Sequence, residues 1–288
     1  MTDPSLIPFP VDRHFRMRPG LQRYDGPLTS RDAAFSAVQD CVTRAQTEAW
    51  LPLGEWGYPG LSEALAETVA VLGTSPMRTA DNIDRTRAGV VTWPVNRPGN
   101  PPVNAPDSGA DSLLNLRRQV QEDIVLLAPG EVGRVVALAV AMPSGWDPAE
   151  KLGLDFRQIH SVIPQADNIL ASAVPLIQMM TTGGPYRRHV WTLAADDSFS
   201  QHPQRRSAAI ADGPVWFRVE QQTTVALPAS GFCLFLIRVF QAPLEDVLAV
   251  QAGRAEQLVA SLRSMTEPVI QYKSLTVLSR TVLRRYAH

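Results

Sequence analysis

Cysteine is nearly absent: Cys41 and Cys233 are the only two in 288 residues. They stand far apart with no Cys-x-x-Cys, one on a predicted helix and one in a predicted strand. That excludes a disulfide framework and a zinc site and leaves two buried thiols. An excess of charge is missing too. With 27 Lys and Arg against 28 Asp and Glu, no basic stripe is available to neutralise phosphates, so nucleic acid is excluded as a partner. No apolar run approaches the ~20 residues that cross a bilayer. The N-terminus, with Asp3, Asp12 and Arg13 around Pro8 and Pro10, lacks the apolar core of a signal peptide. These absences predict a cytoplasmic protein with no membrane partner. Zincin, P-loop, Rossmann and nucleophile-elbow signatures are missing as well.

What is present is a globular composition, 45% hydrophobic and 19% charged, in a chain long enough to bury a sizeable core. Residues 1 to 28, rich in proline and arginine, read as a surface arm. Thr29-Ser30-Arg31-Asp32 has the form of a capping box, and Ala34, Val38, Val42, Ala45 and Ala49 follow at helical spacing, predicting a helix over 30–49. Trp50 to Gly60 is a predicted loop with a packed corner at Trp56, Gly57, Tyr58 and Pro59. A second helix is predicted from Leu61 to Leu72, closed by Gly73. Pro94 to Gly109 carries five prolines and three asparagines and cannot be a regular element.

Leu113, Leu116, Val120, Ile124 and Leu127 then fall on one face of a predicted helix that ends at Pro129-Gly130. On that reading Glu122 and Asp123 belong to its solvated side. A strand is expected over Val132 to Ala141, and a helix from Asn168 to Met180 kinked by Pro175. The Thr-Thr-Gly-Gly turn at 181–184 lacks the lysine of a phosphate loop. Two more helices close the chain. One opens on Glu245 and Asp246, which suit its N-terminal dipole, and buries Val247, Leu248, Gln251, Ala255, Leu258, Val259 and Leu262. The other follows Tyr272.

A hairpin is predicted from Val215 to Ala226 and Phe232 to Phe240 about the turn Leu227-Pro228-Ala229-Ser230-Gly231. Val215, Phe217 and Val219 point one way, while Trp216, Arg218, Glu220, Gln222 and Thr224 point the other. If Leu227 opposes Gly231, Glu220 opposes Arg238 and Arg218 opposes Phe240, giving Arg238 a counter-charge. A one-residue slip in register would undo that pairing.

One further stretch stands out. After the strand ending at Met142 come Pro143-Ser144-Gly145-Trp146, then Lys151-Leu152-Gly153, then Ile159-His160-Ser161-Val162-Ile163-Pro164. A histidine fixed among apolar residues is more often core than ligand, yet neutral imidazole is the commonest metal and heme-iron ligand.

These three pieces resemble the signature of the heme-dependent oxidative N-demethylase family, with Val162 where the family has proline. Three other segments point the same way. Val120-Gln121-Glu122-Asp123-Ile124 is similar to the family's Gln-Glu-Asp step. Arg188 and Trp191 match an Arg-x-Asn-Trp segment in which Val190 replaces asparagine. Arg218-Val219-Glu220-Gln221-Gln222-Thr223-Thr224, the Leu-Pro-x-Ser-Gly turn and Ile237-Arg238 match the family's hairpin. Within it Gln221 replaces arginine and Thr224 replaces leucine.

The resemblance implies an α+β fold: a PAS-like antiparallel β-sheet core over 111–245 that binds heme. An N-terminal helical region with the proline-rich connection would occupy 1–110, and C-terminal helices 246–288. It implies heme b with His160 as the axial metal ligand, the lesser alternative being a Cys233 thiolate. Arg188, Arg218 and Arg238 would serve the cofactor, the last two as propionate partners, and Trp191 and Trp216 would be apolar walls. Glu220 would be an acid or base, or the anchor for a cationic amine, with Arg218 and Trp191 beside it in the catalytic set. The implied reaction is a monooxygenase-type oxidation of a small amine with dioxygen. No flavin, nicotinamide or iron–sulfur motif is present, so electrons would come from a separate flavin or iron–sulfur reductase, another donor or peroxide. Assembly as a homo- or hetero-oligomer is compatible with the tail helices. The alternative from another class is a non-catalytic heme or small-ligand sensor of PAS type.

Overall fold

The structure is a computed structural model that describes residues 2–44, 50–52, 58–74, 78–79, 113 and 115–287. The proline-rich stretch 94–109, the Trp56-Gly57 corner and the predicted helix end at Ala45 and Ala49 lie outside the described residues.

The strands, in chain order, are β1 (Gln22–Arg23), β2 (Ser30–Arg31), β3 (Trp50–Pro52), β4 (Arg78–Thr79), β5 (Asp123–Leu127), β6 (Val135–Ala139), β7 (Tyr186–Ala194), β8 (Trp216–Leu227) and β9 (Phe232–Pro243). The helices are α1 (Phe35–Arg44), α2 (Leu61–Thr74), α3 (Phe156–His160), α4 (Asp167–Ala171), α5 (Ala173–Thr182), α6 (Leu244–Ala249), α7 (Arg254–Ser264), α8 (Glu267–Tyr272) and α9 (Thr276–Tyr286). The fold is α+β, and its seven-stranded sheet runs β1-β7-β8-β9-β5-β6-β3, antiparallel at every pairing.

The alternation in 215–224 builds β8 as expected, and its partner β9 is almost wholly apolar because it lies at the centre of the sheet. The register differs by one residue from the expected one. Leu227 pairs with Phe232 rather than Gly231, so Glu220 opposes Val239, Arg218 opposes Gln241, and Arg238 opposes Gln221. The cause is a turn one residue longer: Gly231 takes φ +77° and donates its N–H to the Leu227 carbonyl at 2.8 Å, a left-handed conformation that glycine adopts without steric cost. Arg238 therefore points to the face opposite Glu220.

The larger departure lies at 123–127. This segment is strand β5, buried at all five positions, and the helical turn before it ends near Arg117. Apolar spacing alone cannot separate a helix face from a strand covered on both sides. At the start of the chain, Ser30 and Arg31 form a strand rather than a capping box. Asp32 lies in the turn ahead of the shorter helix that follows, its Oδ1 accepting from the Ala34 N–H at 2.8 Å. Gly73 lies within α2 rather than after it. Trp50 to Pro52, predicted as loop, is edge strand β3 on β6. The single kinked helix over 168–180 is two helices that break at Ser172. Pro175 explains this, since its ring clashes with the carbonyl four residues back, at Ala171.

One sheet face carries Trp191, Leu193, Phe217, Val219 and Phe240 against the C-terminal helices, with Val225, Leu234 and Leu236 against α2 further along. The other face carries Val125, Leu138, Val140 and Cys233, packed by Met180 of α5 and by Trp146, Leu152 and Ile159. Between these apolar zones, β7 and β8 bring a polar strip onto that second face.

Candidate functional site

His160 is the last residue of α3, a helix of five residues that its N-terminus fixes. The Asp155 carboxylate accepts from the Gln158 N–H at 2.9 Å, and the Gln158 side chain accepts from the Asp155 N–H at 2.9 Å. The imidazole stacks on Phe156 with centroids 4.0 Å apart. Its Nδ1 lies 2.7 Å from the Phe156 carbonyl oxygen. A carbonyl only accepts, so Nδ1 carries the proton and Nε2 keeps its lone pair. Burial, aided by the charges of Arg188 and Lys151 and opposed by the Phe156 carbonyl, pushes the imidazole down to about 4. It is neutral at pH 7, the form that ligates metals. Lys151 reaches this environment through the Lys-x-Gly turn, where Gly153 at φ +80° donates to the Val135 carbonyl at 2.8 Å.

On β7 and β8, Arg188 pairs with Gln222, Val190 with Glu220 and Thr192 with Arg218, so these side chains share a face. Arg188 Nε donates to Gln222 Oε1 at 2.6 Å, and Gln222 Nε2 donates to Glu220 Oε2 at 2.6 Å. Arg188 also donates to the Pro19 carbonyl at 3.0 Å, which fastens the N-terminal arm beside the strip. Glu220 is 8% exposed. Burial lowers Arg188 and Arg218, the latter to about 10, and the Glu220 carboxylate opposes the shift in both. Lys273, just past α8, is pushed down to about 8 by burial against the pull of the same carboxylate. The Tyr272 phenol is raised by burial and then by Glu220.

Arg218 is fully buried and ties the signature turn to the sheet. Its guanidinium donates to Ser144 Oγ at 2.8 Å, Gln241 Oε1 at 2.9 Å and the Met142 carbonyl at 2.8 Å. Ser144 itself bridges to Gln201. The Pro-Ser-Gly-Trp turn is thus held in place by the arginine two residues before Glu220.

The structure does not bring every expected residue together. Arg238, 1% exposed, is held by Asp32 at 2.7 Å and Glu122 at 3.7 Å on the other face, and does not pair with Glu220. Trp191 also lies on that face, stacked on Phe217 at 6.0 Å and edge-on to Phe15 at 6.3 Å, as part of the core. Trp216 is half-buried at the far end of the polar strip, opposite Pro243. Cys233 is fully buried and its thiol is pushed up to about 12 by that burial, which opposes the thiolate a heme iron would need.

Glu122 and Asp123 are not on a solvated face. They are 1% and 0% exposed, and burial raises both. Asp123 accepts from Arg117 Nε at 2.9 Å and from the N–H groups of Ala141 and Met142 at 2.9 Å each. The Gln-Glu-Asp step is therefore a fastening: Glu122 grips the N-terminal segment at Ser30, and Asp123 grips the strand end that leads into the signature turn. Lys273 had no signal in the sequence, because its place depends on how the turn after α8 packs on Phe15 and Trp191. Among the described residues, no group of three or more His, Cys, Asp or Glu could hold a metal ion, so a lone imidazole is the donor on offer. No described helix is long and apolar enough to cross a membrane.

The second sheet face thus carries a neutral imidazole, the nearby cations Arg188 and Lys151, apolar side chains and a buried carboxylate. The family model for the haem-dependent oxidative N-demethylase, alpha subunit-like proteins matches residues 80–283, a span that holds His160, Arg188, Glu220 and Lys273, and the chain belongs to that family.

Proposed function

We propose that the chain is the heme-binding subunit of an enzyme that oxidises a small amine, His160 being the axial ligand of heme b. The observation that carries the reading is the state of His160. Its Nδ1 proton is held by the Phe156 carbonyl, its Nε2 lone pair is available, and Arg188 and Lys151 lie near enough to depress its basicity. Metal-bound histidines are oriented by just such a hydrogen bond on the other nitrogen. The donor set also suits the group: Arg188 and Lys151 can meet propionates, and Leu152, Ile159 and Phe235 offer an apolar surface. A PAS-like sheet is supported by the hairpin β5–β6, the helical crossover α3–α5 on one face, and the meander β7–β9 that returns beside β5.

Bound heme would supply the reductive activation of dioxygen. The residues of the chain do the rest. Arg218 fixes the turn at Ser144, Gln222 orients the Glu220 carboxylate, and Glu220 holds the ammonium form of the amine or takes its proton. Electrons would come from a separate flavin or iron–sulfur reductase, and formaldehyde would be the product if a methyl group is lost. The alpha-subunit description of the family favours a multi-subunit enzyme.

The visible spectrum of protein expressed with heme supplied tests this, in ferric, ferrous and carbon-monoxide-bound forms. A Soret band in the wild type that His160→Ala abolishes or shifts is the expected result. Wild-type protein without a Soret band would overturn the cofactor, and an unchanged band in His160→Ala would overturn the ligand.

A further inference from the structure

His160 is tied to the sheet through Phe156. Just ahead of α3, residues 153–156 lie against the chain that leads into β6. The Phe156 N–H donates to the Val132 carbonyl at 2.9 Å, and the Val135 N–H donates to the Leu154 carbonyl at 2.9 Å. The Arg134 guanidinium adds a bond to the Gly153 carbonyl. With the Asp155–Gln158 capping box setting the first turn, the backbone of Phe156 is fixed before the chain reaches the histidine.

Phe156 then meets the imidazole in two ways. Its carbonyl oxygen lies 2.7 Å from Nδ1, and its ring stacks on the imidazole with centroids 4.0 Å apart and planes 26° apart. A single hydrogen bond fixes one ring atom and lets the plane swing about the N–H···O line. A phenyl face at stacking distance removes that swing. Together the two contacts hold the edge and the plane of the imidazole, and so aim Nε2 in one direction. Helix stability does not account for the ring, because a side-chain pair of this spacing adds little to a helix and α3 is already held by its cap and by Val132.

We infer that Phe156 is a positioning residue for His160, its ring and carbonyl holding the imidazole plane before a cofactor binds. This rests on His160 as the axial ligand and extends that reading to the group behind the ligand. An imidazole free to turn loses that freedom on ligation, whereas one already held does not. Groups that orient a metal ligand are worth about 10–100-fold in affinity.

Phe156→Leu and Phe156→Tyr, each made in the full chain, test the inference. Leucine keeps the carbonyl and the apolar bulk and is the better helix former, but it has no flat face; tyrosine has one. Loaded with heme, Phe156→Leu is expected to lose ferric heme to excess apomyoglobin about tenfold faster than wild type. Its ferric electron paramagnetic resonance should show altered g values, which follow the plane of an axial imidazole. Phe156→Tyr should match wild type in both. A leucine variant indistinguishable from wild type overturns the inference, and so does a tyrosine variant that fails as leucine does.

Nuclear magnetic resonance of the heme-free full chain, with the His160 ring signals assigned through His160→Ala, separates this inference from the cofactor itself. Wild type should show a single tautomer protonated at Nδ1, its ring protons displaced upfield by the phenyl face, and Phe156→Leu should lose the displacement. A wild-type imidazole without that displacement overturns the inference even where a Soret band is present. A displaced, single-tautomer imidazole in a protein that gives no Soret band refutes heme and leaves the imidazole held by Phe156.

Discussion

Replacing Asp123 with alanine would strip the structure of its most committed acid. Arg117 and Asp123 are both 0% exposed and bind through Nε at 2.9 Å and Nη2 at 2.8 Å, while the carboxylate also receives the N–H groups of Ala141 and Met142. Removing one member of a buried pair leaves a bare charge and costs about 3–5 kcal/mol. Each orphaned backbone N–H adds about 1 kcal/mol or more. Asp123→Ala should therefore lower the unfolding free energy by about 5–7 kcal/mol, a large share of the roughly 5–15 kcal/mol a domain possesses. Urea unfolding followed by circular dichroism measures it, as a lower midpoint at constant slope. Arg117→Met combined with Asp123→Ala removes the stranded cation and should recover about 3–5 kcal/mol, leaving only the two unpaired N–H groups. A loss under about 1 kcal/mol in the single variant, or no recovery in the double, would refute the reasoning.

Two other outcomes follow from burial. In a Cys41→Ala background, Cys233 should resist a charged thiol reagent until urea is added, because it is fully buried and its thiol is pushed up to about 12; prompt labelling of native protein contradicts this. For Lys273, folding lowers the ammonium from 10.5 to about 8, so between those values the unfolded chain keeps a proton that the native chain has released. Its contribution to stability then rises with pH across that window, by roughly 2–3 kcal/mol before screening by water. Urea midpoints at pH 7.5 and 10 should converge when wild type is replaced by Lys273→Met, and a rise with pH of the same size in both proteins rules the effect out.

The two ends of what the sequence reveals are visible in single residues. The polar alternation of Arg218, Glu220 and Gln222 was legible because period two in a strand survives any tertiary context. The register was not, since Gly231 admits either turn length and one residue moves Arg238 to the other face. Ile124 and Leu127 misled because a strand covered on both faces shows no alternation and its apolar residues fit a helical period equally well. His160 could be singled out, but its tautomer could not. That depends on the His160 ring turning back along α3 so that the Phe156 carbonyl meets Nδ1. Lys273 was invisible, since a lysine after an apolar helix is ordinarily a solvated end, and only packing against Phe15 and Trp191 makes it otherwise.

The three departures from the family pattern are unequal once they are placed. Val162 is 63% exposed beyond α3. Gln221 lies on the opposite face, opposite Arg238, with its Oε1 3.2 Å from His189 Nε2. Arginine there would set a second guanidinium across from Arg238, so the exchange relieves repulsion away from the site. Val190 alone faces Glu220. Where the family has an amide able to donate to that carboxylate, this chain has a branched apolar side chain, and Glu220 is left with Gln222 as its hydrogen-bonding neighbour. Among the described residues only one Glu220 oxygen accepts a hydrogen bond, so the other would be open to a donor on the proposed amine. An apolar neighbour directly across the strand is what a methyl group on that donor would contact. The altered position therefore bears on how the proposed amine would be received at Glu220.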